Sequence, residues 1–234
     1  NMRTHAHGQG YTDLNFVIPE LVERIDYQKG PYFAELGDFA NAGAASMHLF
    51  RRLPRGIASL TLGENRFARV LLADSTDMGS GTLLYGVEAA RNDGPWREPE
   101  DLERGNVVLR YAQDDGAGNH FDITGMAYRA RWRATDQIPQ RAVASGLLDR
   151  FDTLDPSDGG ETHRYSLSFG AGRTSPPGDT QLQGYAIRSD LNLFSNFTYL
   201  LDNPADLGSA IDGDQFEQAE RRDVFGLQLG DTLS

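Results

Sequence analysis

From residue 56 onward, apolar and polar side chains alternate along the chain with a period of two. Around Tyr165, Leu167 and Phe169, for example, the intervening positions are arginine, serine and glycine. Such alternation is typical of β-strands that have one apolar and one polar face. The pattern predicts eight strands, at residues 56–63, 66–73, 81–90, 105–113, 120–132, 162–172, 181–194 and 219–230. The fifth of them changes phase between Ile123 and Met126, which leaves its register open.

The connections between the predicted strands differ in length in a regular way. The short, turn-like ones are 74–80, 114–119 and 173–179, and the long ones are 91–104, 133–161 and 195–218. The short gap at 63–65 breaks this order. Short turns at one end and long loops at the other are typical of transmembrane β-barrels, whose strands need about 9–11 residues to cross the membrane. The long loops near 133–161 and 195–218 are rich in aspartate, as expected of hydrated extracellular loops.

The first 52 residues have a different texture. They are rich in glycine and alanine and contain only short apolar stretches, which predicts a compact α+β unit with tight turns. Five basic and six acidic side chains give this part a net charge of −1 out of the total of −12. We therefore divide the chain into residues 1–52 and 53–234.

Composition excludes several classes of protein. With 22 basic and 34 acidic side chains, the chain offers no basic stripe for nucleic acid. It contains no cysteine, so disulfides, thiolate metal sites and cysteine nucleophiles are absent. No apolar run reaches the length of a transmembrane helix. Neither a Gly-x-Ser-x-Gly motif nor a P-loop occurs, and we expect no enzymatic activity and no cofactor.

The segment from Ile18 to Pro31, IPELVERIDYQKGP, resembles the late plug segment of TonB-dependent outer-membrane receptors. In that family such a strand is followed by a Gly/Ala-rich stretch and a last plug strand, which here is the stretch from Gly37 to Phe50. The segment from Gly8 to Phe16 is similar to a variant of the plug, and the stretch from Arg221 to Leu227 is similar to a mid-barrel strand. The usual Tyr-Gly…Gly-Gly-Val-Ile-Asn block of the plug is altered here, to residues 39–48.

This resemblance implies a mainly β fold. We expect a partial transmembrane antiparallel β-barrel, at residues 53–234, preceded by the C-terminal part of a small α/β plug domain, at residues 1–52. The family's barrel has about 22 strands, so the chain would hold roughly the first eight. The TonB-contact segment, the early plug and the later strands would lie outside it.

The resemblance also implies a function and a set of partners. The receptor would take up a scarce ligand, such as an iron-siderophore, haem, cobalamin or an oligosaccharide, across the outer membrane of a Gram-negative bacterium. Pulling by TonB would move the plug, and the outer face of the barrel would contact lipid. Two other functions stay open: a passive outer-membrane channel and a secreted β-sandwich carbohydrate-binding module.

Candidate site residues follow from the same comparison. Tyr11, Tyr32 and Phe33 lie in predicted plug loops, where they could touch the ligand. Glu23 and Arg24 are charged residues on a short plug strand, and we expect them to lock the plug to charges on the inner barrel wall.

No metal site is predicted. His5 and His7 form a common His-x-His pair without a carboxylate or cysteine at a convincing spacing. The aspartates of residues 152–160 recur every third residue, whereas a calcium-binding EF-hand loop needs every second. Trp96 and Trp132, at predicted strand–loop borders, suit an interfacial aromatic girdle better than a binding site.

Overall fold

The computed structural model describes residues 3–4, 11–33, 36, 40, 42–175, 178–199 and 215–233. Its strands are β1 Arg3–Thr4, β2 Tyr11–Thr12, β3 Val22–Lys29, β4 Gly43–Leu49, β5 Ile57–Leu62, β6 Ala68–Met78, β7 Gly81–Asn92, β8 Leu102–Asp114, β9 Asn119–Arg133, β10 Gly159–Ser175, β11 Gly178–Ser195 and β12 Phe216–Leu233. Helical structure in this part of the chain consists of a 3-10 helix, Pro19–Leu21, a 3-10 position at Leu36, and the short helix α1, Gln140–Ala144. Neither helix is long and apolar enough to cross a membrane.

Strands β5 to β12 form one antiparallel sheet in which every strand pairs with its neighbours in sequence. All eight strands predicted from the alternation are confirmed, and most extend beyond the predicted ends: β12, for instance, has 18 residues. A secreted β-sandwich would need a second sheet stacked about 10 Å away. In the described part of the chain, an N-terminal segment covers the inner face of this sheet instead.

The connections alternate between the two ends of the sheet. Two residues separate β6 from β7, while β9 and β10 are separated by 134–158. The long connections contact one another: Arg66 pairs with Asp93 at 3.1 Å, and the Arg97 amide donates to the Phe151 carbonyl at 3.0 Å. The short gap at 63–65, which breaks the order predicted from the sequence, lies at the long-loop end of the sheet and is the shortest loop there.

The outer face of this sheet is covered with exposed apolar side chains. Cross-strand pairing places Tyr85, Leu109, Leu167 and Phe225 in one outward row, since directly paired residues project from the same face. Leu109 is 51% exposed and Phe225 is 76% exposed. The large, exposed apolar side chains on this face are Leu60, Leu62, Val70, Leu72, Met78, Tyr85, Val87, Val107, Leu109, Phe121, Ile123, Tyr165, Leu167, Phe225, Leu227 and Leu229.

The register of β9 is regular, despite the phase change in its sequence. Ile123 pairs with Tyr111 and faces outward, while Met126 pairs with Val108 and faces inward, with no bulge between them. The hydropathy changes phase because the two halves bury different faces. The half near Ile123 presents apolar residues outward, whereas the half near Met126 presents them to the N-terminal segment inside.

The N-terminal region contributes two small sheets, β1–β2 and β3–β4. The β3–β4 pairing shifts register between Val22 and Arg24. Proline at the start of the 3-10 helix fits a position whose N–H would be unpaired anyway. In the described residues between 11 and 50, helical structure is of the 3-10 type, at Pro19–Leu21 and at Leu36. The boundary at residue 52 stays a prediction.

Candidate functional site: the junction between the N-terminal region and the sheet

Residues 16–21, which we call the anchor segment, press against the inner face of the sheet. Ile18 and Leu21 are 1% and 0% exposed. They pack with Leu71, Leu84 and Val108 from three adjacent strands. Burying a side chain of this size contributes roughly 1.5–3 kcal/mol, so this contact is a main attachment of the N-terminal region.

Gly86 of β7 makes room for the anchor segment. A Cβ atom at this position would lie 2.7 Å from Leu21 Cδ1 and 3.4 Å from Ile18 Cδ1. The first distance is shorter than real carbon contacts, so any larger residue would push Leu21 away. The glycine therefore serves close approach of the anchor segment rather than a turn.

A network of four charged side chains surrounds this apolar contact. Both terminal nitrogens of Arg69 on β6 donate to the Glu20 carboxylate, at 2.7 and 2.9 Å. Arg69 Nε also donates to Glu88 at 2.7 Å, and Arg104 Nη2 lies 3.0 Å from the other Glu88 oxygen. Two arginines thus balance two glutamates, and the Glu88 side chain is fully buried. A buried charge is tolerable in such a paired and hydrogen-bonded arrangement.

Asparagines extend the network to the backbone of the N-terminal region. The Asn106 amide donates to Glu88 and to the Asn15 carbonyl oxygen, both at 3.0 Å. Arg104 Nη1 donates to the Asn15 side-chain oxygen at 3.3 Å. Both ends of the anchor segment are therefore held by polar contacts as well as by packing.

Electrostatic interactions favour the charged form of the ion pair between Glu20 of the N-terminal region and Arg69 of the sheet. The hydrogen bonds from Arg69 lower the pKa of Glu20 below its usual range, against the opposing effect of burial. A lowered carboxyl pKa contributes stability above the unfolded-state pKa, and that stability is lost as the pH falls through the lowered value. The Glu20–Arg69 pair is consequently fully ionised at neutral pH.

A second apolar contact lies nearer the long loops. Phe16 packs against Tyr128 and Ala130 of β9 and is 5% exposed. The Arg164 guanidinium lies 4.6 Å from the centre of the Phe16 ring, which is within cation–π range. Trp132 packs against this same cluster, so its expected place in an outer aromatic girdle is wrong. Trp132 lies on the inward face of β9, and its position at the end of a predicted strand did not indicate this.

The chain leaves the N-terminal region through a further set of contacts. Arg110 Nη1 donates to the carbonyl oxygens of Leu49 and Phe50, at 2.6 and 3.3 Å. The Leu53 amide donates to Ser75 Oγ at 3.0 Å. The region is thus attached to the sheet at its exit as well as at the anchor segment.

Glu23 and Arg24 lie two and three residues beyond the anchor segment and are about half exposed. Arg24 pairs with Glu23 at 3.8 Å and with Asp26 at 3.3 Å, all on β3. Among the described residues, Glu20 pairs with Arg69 of the sheet, and Arg51 and Arg52 pair with Asp114 and Asp77 of the sheet. Glu23 and Arg24 do line a space of 550 Å³ together with Arg110 and other sheet residues, and their role as a lock stays a prediction.

The three predicted ligand contacts are found in different settings. Tyr11 belongs to the two-residue strand β2. Tyr32 is 84% exposed, with its ring over Gly30, and Phe33 is half-buried. Their role in binding a ligand stays a prediction. His5 and His7 lie outside the described residues, and within those residues no three His, Asp or Glu side chains are arranged to hold a metal.

The base of the long loops contains a buried polar cluster. Asp155, Asp158 and Asn196 are at most 4% exposed. The Gln215 side chain donates to Asp158 at 2.9 Å, and the backbone N–H of Asn196 donates to the same carboxylate at 3.2 Å. Burial raises the pKa of Asp158 to about 6, and the nearby charge of Asp155 adds to this. The cluster ties the loop before β10 to the loop after β11.

Solved structures similar to the chain include the following three. One is the siderophore receptor PiuA from Acinetobacter baumannii, with a TM-score of 0.72 and 12% identity over 96% of this chain. The others are two forms of the ferric-catecholate import receptor Fiu from E. coli K12. The open form has a TM-score of 0.63 and 16% identity over 90% of the chain, and the closed form has 0.61 and 16% over 91%. The chain spans 33–35% of the length of these proteins.

No protein-family model and no curated protein matches the chain. At such low identity the likeness is one of fold. The chain has the fold of the matched portion of these receptors, which confirms the predicted mainly β class and the resemblance on which it was based. The similar proteins are import receptors rather than enzymes, in agreement with the expectation from the sequence.

Proposed function

We propose that this chain is the late plug and the first part of the barrel wall of a TonB-dependent receptor. In this proposal the receptor lies in the outer membrane of a Gram-negative bacterium. It takes up a scarce ligand, and an iron-siderophore is the first candidate because the similar proteins carry that ligand class in their names. Residues 1–52 belong to the plug and residues 53–234 to the barrel.

The proposal rests on one observation: the two faces of the eight-stranded sheet have opposite chemistry. The inner face holds buried charges, such as Glu88 and Arg69, in contact with the anchor segment. The outer face carries exposed apolar residues on seven of the eight strands, all except β11. An aqueous protein would leave these residues in water, whereas a lipid bilayer would cover them.

The junction suits a plug that must be held firmly and also released. The anchor segment combines a small apolar contact with the balanced network around Glu88, and neither involves a covalent bond. A pull on the plug from TonB, through a segment outside this chain, would have to separate Glu20 from Arg69 and withdraw Leu21 from Gly86. Since all of these contacts are local, they break together and can re-form after transport.

Ligand contacts belong to the long-loop end in this proposal. Tyr11, Tyr32 and Phe33 contribute aromatic surface from the plug, and an exposed ring such as that of Tyr32 suits a bulky, flat ligand. Glu23 and Arg24 act as a second lock to wall strands beyond β12. A passive channel is disfavoured, because a tightly attached segment on the inner face would obstruct diffusion.

Uptake of a labelled ligand tests the proposal. Cells expressing the full-length protein are given a radio-iron-labelled catecholate siderophore, with and without a working TonB. We expect accumulation that requires both the protein and TonB, and competition by unlabelled siderophore but not by haem or cobalamin. Accumulation without TonB would indicate a passive channel, and binding of none of the three ligands would reject the proposed ligand class.

A further inference from the structure

Two arginines on the inner face of the sheet donate hydrogen bonds to oxygens of the N-terminal region. Arg69 on β6 holds the Glu20 carboxylate with both of its terminal nitrogens, at 2.7 and 2.9 Å. Arg104 on β8 donates to the Asn15 side-chain oxygen at 3.3 Å. In these contacts the sheet supplies the positive charge and the N-terminal region supplies the acceptors. Both guanidinium groups are therefore oriented to bind an oxyanion, and the Glu20 carboxylate shows how one is held.

A third arginine, Arg164 on β10, faces the same part of the chain. Its guanidinium group lies 4.6 Å from the centre of the Phe16 ring and is within reach of the charge of Asp13. Strand pairing places Arg69 and Arg104 in one inward row and Arg164 in the next row toward the turns. Since neighbouring strands lie about 4.8 Å apart, the three arginines are spread over roughly 20 Å of the inner face.

These two inward rows carry an excess of positive charge. Across β5 to β12 they contain four arginines and two glutamates, which gives 4 − 2 = +2. One arginine and one glutamate of this count, Arg222 and Glu220, pair with each other on β12. The excess therefore lies on β6 to β10, where three arginines face Glu88 alone. Asp13 and Glu20 of the N-terminal region offset it.

Space for a ligand group is present beside this network. A cavity of 320 Å³ is lined by Arg69, Glu88 and Arg104 from the sheet and by residues of the N-terminal region that include Leu14 and Pro19. In the part of the chain that the structure describes, Nε of Arg104 is buried and has no hydrogen-bond partner. A buried donor normally has an acceptor, so Arg104 has the capacity to bind one more oxygen.

We propose that Arg69, Arg104 and Arg164 form a binding site for the anionic groups of the transported ligand, and that the N-terminal region occupies this site before transport. Withdrawal of that region removes Glu20 and Asp13 and leaves the net charge of +2 on the sheet. Catecholate or carboxylate oxygens of the ligand then take the place of the Glu20 oxygens on the guanidinium groups. The inference rests on the proposed function for one point, that the anchor segment leaves the sheet. It adds the charge of the ligand: an anionic ferric catecholate fits the site, whereas a neutral ferric hydroxamate does not.

The two occupants of the site compete, and this competition couples passage of the ligand to release of the anchor segment. An anion bound to the arginines stabilises the withdrawn state, because it cannot bind while Glu20 occupies Arg69. Without such a ligand, withdrawal leaves the positive charge of the sheet without its offset, which favours return of the segment. The bound ligand therefore keeps the passage open, and its departure allows the passage to close.

Binding of two ferric complexes to the full-length protein in detergent tests the proposal. Gly86→Leu opens the site, because a larger side chain at this position displaces Leu21. Leu21→Asp opens it in a second way, since it places an unpaired charge in the apolar contact. Faster proteolytic cleavage between residues 11 and 50 verifies the displacement. The probes are a radio-iron-labelled tris-catecholate complex, which is anionic, and a tris-hydroxamate complex, which is neutral, and both are measured by equilibrium dialysis.

We expect each opened variant to bind an additional equivalent of the catecholate complex relative to wild type, and no additional hydroxamate complex. Adding Arg104→Gln and Arg164→Gln to an opened variant should weaken this additional binding about tenfold or more, because charge-assisted hydrogen bonds are lost. Arg188→Gln is the matched control and should leave it unchanged, since Arg188 also lies on the sheet but faces outward.

Three results would overturn the inference: no additional binding in the opened variants, equal additional binding of the neutral complex, or additional binding that survives the loss of both arginines. Unchanged cleavage in both opened variants would contradict the packing from which the site is inferred. TonB-dependent uptake of the catecholate complex by cells with the wild-type protein is measured in parallel. Absence of uptake contradicts the proposed function, whereas uptake without additional binding in the opened variants contradicts this inference alone.

Discussion

Arg69 and Glu20 are 49 residues apart in sequence, yet they form a two-pronged ion pair between the sheet and the anchor segment. Arg69 also holds Glu88, so a single guanidinium group connects the N-terminal region to the buried carboxylate of the wall. The attachment of the two parts therefore depends on a few identifiable side chains, and each can be tested separately.

Replacing Glu20 by Gln should loosen the N-terminal region. The change removes one negative charge and one of the two Arg69 contacts, which leaves an excess positive charge beside Glu88. We expect a loss of about 1–2 kcal/mol in attachment, seen as faster proteolytic cleavage between residues 11 and 50. Glu64→Gln is the control, because Glu64 is exposed and lies in the loop between β5 and β6, outside the N-terminal region. Equal cleavage of both variants would contradict the role of the Glu20–Arg69 pair.

Gly86→Ala should displace the anchor segment although it adds only one methyl group. The new Cβ would lie 2.7 Å from Leu21, so either Leu21 or β7 must move, at a cost of about 1–3 kcal/mol. At Gly125, by contrast, an added Cβ would meet nothing within 4 Å. Gly125→Ala is the matched control, and thermal unfolding should distinguish the two. A Gly86→Ala protein as stable as Gly125→Ala would argue against close packing at this point.

Leu109→Arg tests whether the outer face meets lipid. Leu109 lies in the middle of an outward apolar row, and a charge there should cost about 2–4 kcal/mol in a bilayer. Gln113→Arg, on the same face of β8 but near its end, should cost no more than about 1 kcal/mol. Folding yield of the full-length protein into lipid vesicles is the measurement. In a water-exposed sheet both changes would be nearly neutral, so equal yields would reject a membrane location for this face.

The loop base around Asp158 should become more stable as the pH falls from 7 to 5. Its pKa is about 6 in the folded chain and about 3.9 when unfolded, so the folded state binds more protons between these values. Stability therefore rises as the pH falls through about 6 and levels off below about 4. The protection factor for hydrogen exchange at the backbone amide of Asn196, which donates to Asp158, should rise accordingly. In Asp158→Asn this pH dependence should disappear, and its persistence would assign the effect to another group.

The sequence predicted the sheet because each strand buries one face, which leaves a period of two in the chain. The strand ends were missed where polar residues continue the pairing, as at Gly159 and Ser175 of β10. The apparent phase change in β9 arose because the N-terminal segment covers only part of its inner face, a fact that no local pattern carries.

The site was less predictable than the fold. The role of Glu23 and Arg24 as a lock stays a prediction, whereas the ion pair between Glu20 and Arg69 was not predicted, because Arg69 is distant in sequence. The sequence did offer one signal for this ion pair. Glu20 lies between the apolar residues Ile18 and Leu21, and a charge needs a partner when its neighbours are buried. Gly86 interrupts the apolar stretch from Leu83 to Val87, and only the position of Leu21 explains why a glycine occurs there.

If the anchor segment leaves the sheet during transport, as we propose, a disulfide across the junction should block uptake. This chain contains no cysteine, so Leu21→Cys with Gly86→Cys introduces a single pair at the point of closest approach. We expect the oxidised double variant to bind ligand but to lose TonB-dependent uptake, and reductant to restore it, with Leu21→Cys alone insensitive to oxidation. Full uptake by the oxidised, cross-linked protein would contradict the account.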